Sequence, residues 1–524
     1  MIARLKNWLL PSIADIFFVT VLFYLTLPIN KADLLGDGDT GYHIRAGEYI
    51  LNTLSIPKTD LFSFITPTLP WTAHEWLAEV IMSLMHQLGG ITTVFVTFAL
   101  LIAVSVRLFF RNIRSEGNNI LLSIVACVAF ISLAKIHWLA RPHIFSLIFL
   151  LVWYRLLDDF QFRRQNRLWL LPIIMLFWVN LHGGFIIGLA ITGVYFGGNY
   201  LLKFYDFKRY DSEGKEKTKI LGRILIVSFI TCLANPIGYK IFLFPIKLIS
   251  NKYIMDHTNE FLSPNFHELQ PFKYLLFLLI LIFTYSKIKP SLIEITLTLL
   301  FINMSLISVR YIPLCAVIII PILLRRIESN CLSAFPRIER ILQKRVENIT
   351  LIDSSVRGLL WPTVSLILLI FLVDKGSVTH AFSPDKNPIS ALEFLRENQV
   401  AGNMFNSDEF GDLVIYTSNL HYKVFIDGRG DMYGSEIIKE YFKITGFEPG
   451  WDDILEKYKI TWIFFNTNSP LTRFLCINNS WKLIYSDKVA SIFVKDIPMH
   501  KPLIDKFPRI KLANYSSNST DKKL

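Results

Sequence analysis

GDGDTGYHIRAGEY, residues 36–49, follows directly on the first apolar run of the chain. It crowds Asp37, Asp39, His43, Arg45 and Glu48 into one short stretch. Before it lies an apolar run of membrane-crossing length over 12–30, and after it comes a polar loop reaching residue 74. If 12–30 crosses a membrane, this is the first loop on the far side. Its ionisable groups then stand at a membrane surface.

The composition supports that premise. The chain has 524 residues, 52% of them hydrophobic and 18% charged, with mean hydropathy +0.42. Ordinary globular chains carry about 25% charged residues. Repeated apolar runs point to an α-helical polytopic membrane protein. The formal charge of +12 needs no nucleic-acid partner, because Lys and Arg accumulate in the cytoplasmic loops of membrane proteins. Of the 5 cysteines, Cys127, Cys232 and Cys315 lie inside apolar runs, and no zinc spacing appears. The N-terminus, MIARLKNWLL, is basic and lacks a small-residue cleavage site, so it reads as a retained signal anchor.

Segments able to cross about 30 Å of hydrocarbon are 12–30, 90–109, 119–136, 144–160, 168–181, 184–203, 220–236, 273–287, 290–308, 311–325 and 358–374. That is about 11 transmembrane helices. The run 75–88 reads as an amphipathic helix entering the second span, and 241–250 as a short re-entrant or interfacial piece. With Arg4 and Lys6 in the cytoplasm, the alternate loops carry Arg107, Arg111 and Arg114, then Arg163, Arg164 and Arg167, then Lys203 to Lys219, then Lys287 and Lys289, then Arg325 to Arg345. The intervening loops are poor in Lys and Arg. This agreement sets the expected topology: N-terminus cytoplasmic, residues after 375 outside.

The same sorting collects polar chemistry on the outer side. His43, His74, His137, His143, His182, His257 and His267 all fall in outer loops, out of 11 histidines. The local strings are TAHEW (72–76), LARPH (139–143), WVNLHGG (178–184), ANPIGYK (234–240), FLSPNFHE (261–268) and SVRY (308–311). The competing reading of each is bland. A His or Trp at a helix end anchors the interface, Pro142 and Pro236 break helices, Gly183–Gly184 allow a tight turn, Asp60 caps a turn, and Asp256 and Glu260 are simply solvated. Their common side favours one shared outer cavity. The span centres lack Asp, Glu, Lys and Arg, which argues against an ion-coupled transporter.

Glycosyl transfer at a membrane needs a base for the acceptor proton and cationic or hydrogen-bonding groups for the leaving phosphate. GDGDTGYHIRAGEYI, PKTDLFSF (57–64), WTAHEWLAEVI, ARPHIFSL, WVNLHGGF and FIDGRGDMYG (425–434), in this order, resemble a bacterial group within the GT-C superfamily of polytopic glycosyltransferases. The resemblance covers most of the chain. It implies a donor sugar on a polyprenyl phosphate and a glycan, lipid or protein acceptor. It also implies a location in the bacterial cytoplasmic membrane, among its lipids. Asp39 matches the first acid of that family's first-loop pair and would be the catalytic carboxylate. Thr40 stands where the second acid is expected, and Asp37 would substitute as Asp-x-Asp. His43, His74, Glu75, Arg141, His143, Asn180, His182 and Arg310 would bind substrate. The resemblance settles no cofactor, and Asp37, Asp39 and His43 could hold a divalent cation, Mg or Mn. An Asx turn is the competing reading of GDGD.

After residue 375 the apolar runs shorten to strand length. NMFNS (403–407), DLVIYT (412–417), KVFIDG (423–428), TWIFFN (461–466), WKLIYS (481–486) and ASIFVKD (490–496) alternate with helical stretches at 389–398, 434–443 and 450–458. This predicts an extracytoplasmic α/β domain over 376–500 with a mainly parallel sheet. A disordered tail is expected over 501–524. The expected division is therefore a transmembrane domain over 1–375, with a long first outer loop 31–74, and this second domain. Asp427, Arg429 and Asp431 end a predicted strand, where ligands bind in α/β sheets. An Asp–Arg stabilised turn competes with that reading. Two other functions fit the same outer cavity: a surface-polysaccharide polymerase or ligase, and a transporter or flippase of lipid-linked sugars.

Overall fold

The computed structural model describes residues 9–513, apart from 31–32, 118, 328–345, 348, 354–355, 357–358, 419–420 and 509. Arg4 and Lys6, residues 328–345 of the last predicted basic loop, and the far end of the tail lie outside the described residues. The chain divides into two compact units. One comprises 1–34, 89–249 and 255–380, and the other 35–88, 250–254 and 381–524. The first loop thus belongs with the C-terminal segment rather than with the helices that precede residue 375. The division differs from the expected one because the loop's helices have buried partners in that segment.

The first unit is helical. Helices occupy all the segments expected to span, but they differ in length. Among the described residues, three are long and apolar enough to cross a membrane: Trp76–Arg114, Ile120–His137 and Phe185–Tyr205. A fourth arises if Phe207–Ala234 and Gly238–Ile246, bent by 113°, form one broken span. Ile13–Thr26, Leu170–Leu181, Pro271–Tyr285, Leu292–Ile307 and Leu360–Asp374 are apolar but shorter. Helices thus lie at the expected positions, while full span length is reached only by those named first. The bend explains the piece at 241–250.

Local chemistry sets the helix ends. Ser12 and Asp15 form a reciprocal capping box at the start of Ile13–Thr26, and Ser291 and Glu294 do the same for Leu292–Ile307. Both acids also neutralise buried cations. Asp15 pairs with Arg107 at 2.9 Å, and Glu294 with Arg326 at 2.9 Å. Arg325 reaches Asp158 at 2.6 Å and Glu116 at 3.1 Å. Outward faces keep large apolar groups exposed, among them Phe277, Ile226 and Phe204, as lipid-facing helices do.

Helix Trp76–Arg114 breaks at Gly89–Gly90, which leave helical geometry. The chain passes between the two units at this break.

The second unit is a small four-stranded sheet with helices around it. Its strands are β1 (Asn403–Asn406), β2 (Ile460–Asn466), β3 (Trp481–Ser486) and β4 (Ala490–Lys495). Their order is β1-β2-β4-β3. Only β1 and β2 pair in parallel, while β2–β4 and β3–β4 are antiparallel. The prediction of a mainly parallel sheet fails here. The short Asp487–Val489 link, tied by Asp487 to the amides of Val489 and Ala490, has no room for the crossover that a parallel pair needs.

Two predicted strands are absent. DLVIYT lies in the helix Asp408–Ser418, which buries Phe410, Leu413 and Val414 at helical spacing. KVFIDG is extended but makes only an isolated bridge, Val424 to Ser63. The expected tail begins with a helix, Lys501–Lys506. Helices form close to the expected 389–398, 434–443 and 450–458: Ile389–Glu397, Gly430–Thr445 and Trp451–Lys457.

The first loop enters this unit through two helices. Thr40–Thr53 packs on Asp408–Ser418. It also crosses the start of Trp76–Arg114 so closely that a Cβ on Gly47 would lie 1.9 Å from the Glu79 carbonyl oxygen.

Candidate functional site

The second unit holds the carboxylates. Asp39 precedes the helix Thr40–Thr53 with αR backbone angles, yet its side chain does not cap that helix. Its carboxyl is instead hydrogen-bonded to that of Asp412, which is 1% exposed. Burial raises the Asp412 carboxyl well above the usual carboxylate range, and the neighbouring Asp39 and Asp427 push it further. The Gly428 amide donates to both Asp412 oxygens, at 3.2 and 3.1 Å. A Cβ at residue 428 would stand 2.8 Å from Asp39 Oδ1 and 3.0 Å from Asp412 Oδ2. Only glycine lets the backbone approach both acids.

Arg429 anchors this loop. It is 2% exposed, binds Asp427 through Nε at 2.8 Å and Nη2 at 2.6 Å, and reaches Asp60 through Nη1 at 2.8 Å. Its guanidinium lies 4.8 Å from the Phe62 ring centre and 4.6 Å from that of Trp71. Tyr433 donates its hydroxyl to Asp427 at 2.7 Å. Asp60 also accepts the amides of Phe62 and Ser63. Burial works against the charged Asp60, but Arg429 and these donors hold its carboxyl below the usual range. Asp427 and Arg429 are thus committed to a buried ion-pair network that ties residues 60–71 to residues 427–433. Asp431 lies at the exposed start of the next helix.

The other predicted residues of this unit sit nearby. His43 and Glu79 are both buried and 3.5 Å apart. His74 and Glu75 are 3.7 Å apart. Thr40 is fully buried. Asp37 is half-buried. Among the described residues, no group of three or more His, Cys, Asp or Glu side chains is arranged to hold a metal ion. Asp37, Asp39 and His43 do not form a metal-ligand set.

The first unit holds the cations and most of the remaining histidines. Arg141 and Arg310 both pair with Glu260, Arg141 through a charge-assisted hydrogen bond and Arg310 at 3.5 Å. Burial opposes the Glu260 charge, but the two arginines keep its carboxyl below the usual range. Arg310 also lies over the Phe261 ring, 4.9 Å from its centre.

The histidines stack beside this cluster. His143 and His137 rings are 4.0 Å apart, His143 Nε2 donates to the His137 carbonyl at 2.8 Å, and the His182 ring is 6.4 Å from that of His143. The Gly184 amide donates to His182 Nδ1 at 3.0 Å. Ser146 Oγ accepts from Trp178 Nε1 at 2.7 Å and lies 2.6 Å from the same His182 nitrogen. Nδ1 is therefore an acceptor, and the ring proton of neutral His182 sits on Nε2. Asn180 donates to the Ala234 carbonyl at 3.1 Å, and Asn235 lies beside it.

The structure thus gathers Arg141, His143, Asn180, His182 and Arg310 into one helix-end cluster. It groups Asp39 with residues of the C-terminal segment. Three participants were missed or misread in the sequence. Asp412 was hidden in a run read as a strand. Gly428 sat inside FIDGRGDMYG without a role. Glu260, for which solvation is the competing reading, is the counter-ion of two arginines. Asp412, the one charged residue within the run FGDLVI, is the available signal for the first.

No protein-family model matches the chain, and no curated protein matches it. Solved structures do. The oligosaccharyltransferase of Archaeoglobus fulgidus in its apo form is 12% identical with a TM-score of 0.54, covering 93% of this chain and 75% of that one. The archaeal oligosaccharyltransferase AglB from Archaeoglobus fulgidus, in complex with an inhibitory peptide and a dolichol-phosphate, is 11% identical with a TM-score of 0.57, covering 93% and 74%. ArnT from Cupriavidus metallidurans, bound to undecaprenyl phosphate, is 12% identical with a TM-score of 0.44, covering 93% and 97%. The first two likenesses show that this chain shares the fold of that oligosaccharyltransferase.

Proposed function

We propose that the protein is a membrane glycosyltransferase. It moves a sugar from a polyprenyl-phosphate-linked donor to a glycan, lipid or protein acceptor on the outer face of the bacterial cytoplasmic membrane. The observation that carries this reading is the likeness of fold, over 93% of the chain, to an oligosaccharyltransferase captured with a dolichol-phosphate.

The chemistry of the two clusters agrees with it. The acceptor hydroxyl or amide attacks the anomeric carbon, and its proton passes to the Asp39 carboxylate. The bond from that carbon to the phosphate oxygen breaks, and the phosphate leaves with the electron pair. In the first unit, taken by itself, Arg141 and Arg310 offer cations to a lipid phosphate, and His182 offers the neutral Nε2–H donor defined above. Asp412 and the Gly428 amide position Asp39. Asp37 supports the same loop. Charge-assisted contacts of this kind are worth about 1.5–3 kcal/mol each.

The test uses the full chain reconstituted with a radiolabelled undecaprenyl-phosphate sugar and membrane extract as acceptor source. Transfer should fall at least a hundredfold in Asp39→Asn while folding is unchanged. Full activity of that variant would remove Asp39 from its role. Movement of the labelled lipid across vesicles without any transferred product would overturn the transferase reading itself. In a deletion strain, loss of one decoration favours a transferase, and collapse of chain length a polymerase.

A further inference from the structure

One face of the helix Lys215–Thr231 has no part in the assignments above. Lys215, Lys219 and Arg223 follow at four-residue spacing and so stand in a row along it. All three are exposed, and none makes an ion pair among the described residues. The row continues through Ile226 and Ile230, which are exposed as well. Cations therefore give way to apolar side chains within one turn. A helix passing from headgroups into hydrocarbon has this profile, with its long cationic side chains held at the phosphate level.

The row keeps an excess of positive charge. Glu213, in the turn before it, is taken by Arg164 at 2.6 Å and Lys217 at 3.5 Å. Asp206 caps the Arg209 amide. Two exposed acids remain over residues 203–223, Asp211 and Glu216. Against them stand the cations of the row together with Lys203, Lys208 and Arg209, all exposed and without an ion pair among the described residues. Glu216 lies about 60° round the helix from Lys219, at the edge of the row rather than in it.

The neighbouring helix Phe185–Tyr205 runs antiparallel to it. A Cβ on Gly222 would stand 3.1 Å from the Phe196 ring, and one on Gly214 would stand 3.3 Å from the Leu202 side chain. Phe196, Tyr200 and Phe204 form a ladder of rings on that helix, each centre 6.2 Å from the next. Tyr200 and Phe204 are exposed. Gly222 adjoins Arg223 and lies one turn from Lys219, so its bare backbone lets the ladder lie beside the row. Exposed rings next to Lys and Arg mark the headgroup level of a bilayer. A basic site between two spanning helices suits a phosphate on a lipid.

We infer that this face binds an anionic phospholipid. Lys215, Lys219 and Arg223 hold the headgroup phosphate, and the acyl chains run past Ile226, Ile230 and Phe196. Neighbouring cations of the row are about 6 Å apart along the axis, so one phosphate meets two of them. A zwitterionic lipid would bring its own ammonium against the remaining cation. The inference stands apart from the transferase reading.

The experiment is native mass spectrometry of the full chain in detergent, titrated with dioleoyl phosphatidylglycerol or with dioleoyl phosphatidylcholine. Lys219→Gln with Arg223→Gln removes two charges from the row. Lys287→Gln with Lys289→Gln removes two exposed charges from another loop and serves as the control. Phosphatidylglycerol should bind at least tenfold more tightly than phosphatidylcholine. Its affinity should fall at least tenfold in the first variant and stay within twofold in the second, both keeping the Tm of the unmodified chain. Equal binding of the two lipids, or equal weakening in the two variants, would overturn the inference. Glycerol 1-phosphate binding as tightly as the lipid would overturn it too, by making this a site for free phosphate. So would a dimer that only the first variant dissociates, which would give the face to a second copy of the chain.

Discussion

Asp39 and Asp412 are joined by a hydrogen bond between their carboxyl groups, although one lies in the first loop and the other near the far end of the chain. Two carboxylates make that contact only by sharing a proton. The sign of its effect on stability follows. Burial and the neighbouring acids raise the Asp412 carboxyl in the folded state above its unfolded value of about 3.9. A group raised in this way contributes stability in full below the unfolded value and loses it as pH rises through the folded one. Thermal stability in detergent should therefore decline as pH rises from about 4. Asp412→Asn, which imitates the protonated acid, should flatten that decline and raise Tm at pH 8 by roughly 2–4 °C per kcal/mol recovered.

Arg429 should be intolerant of loss. Arg429→Ala leaves Asp60 and Asp427 charged, buried and without their guanidinium, which costs about 3–5 kcal/mol. Arg429→Lys should rescue little, because a lysine cannot make the two-pronged bond to Asp427. Limited proteolysis of the full chain, followed at the 57–71 loop, measures the loosening.

Gly47 and Gly193 make a matched pair. An alanine at 47 would press into the Glu79 backbone, whereas a Cβ at 193 meets nothing within 4 Å. Gly47→Ala should cost about 1–3 kcal/mol or more and lower the yield of folded protein. Gly193→Ala should be neutral or stabilising by about 0.5–1 kcal/mol. Heat unfolding of both variants in one detergent decides it.

The Glu260 bridge predicts a kinetic split. Arg310→Ala should raise KM for the lipid-linked donor about tenfold to a hundredfold, the worth of one charge-assisted contact, with a smaller change in kcat. Ser146→Ala should act indirectly, by leaving the buried Trp178 indole without its acceptor and freeing the His182 ring to turn. Donor titrations at fixed acceptor separate the two variants.

Topology has its own probe. Cys476 is exposed, while Cys127, Cys232 and Cys315 are buried. If residues after 375 lie outside the cytoplasm, a membrane-impermeant maleimide should label intact cells at Cys476, and Cys476→Ser should abolish that labelling. Labelling only after permeabilisation would reverse the orientation.

Period and composition made much of this protein legible without coordinates. The apolar runs located the helices, because a helix in lipid needs a long uninterrupted apolar segment whatever its neighbours are. The helix-end strings ARPH, NLHGG and SVRY marked the cation and histidine cluster, because polar groups in such a chain are confined to the ends of its helices. The short runs were a different matter. DLVIYT and TWIFFN look alike in composition, yet one is a helix and the other the strand β2. Only packing separates them, since four apolar residues in a run of six bury equally well either way. The sequence could nominate Asp39 but not its partner. A carboxyl pair is a fact about two distant stretches meeting, and Asp412 carries no local sign that Asp39 and Gly428 close around it. Likewise the two arginines and the acid between them could be sorted to one side of a membrane by charge. That Glu260 holds both, and that Arg429 is bound in the interior rather than open to a ligand, only the tertiary structure decided.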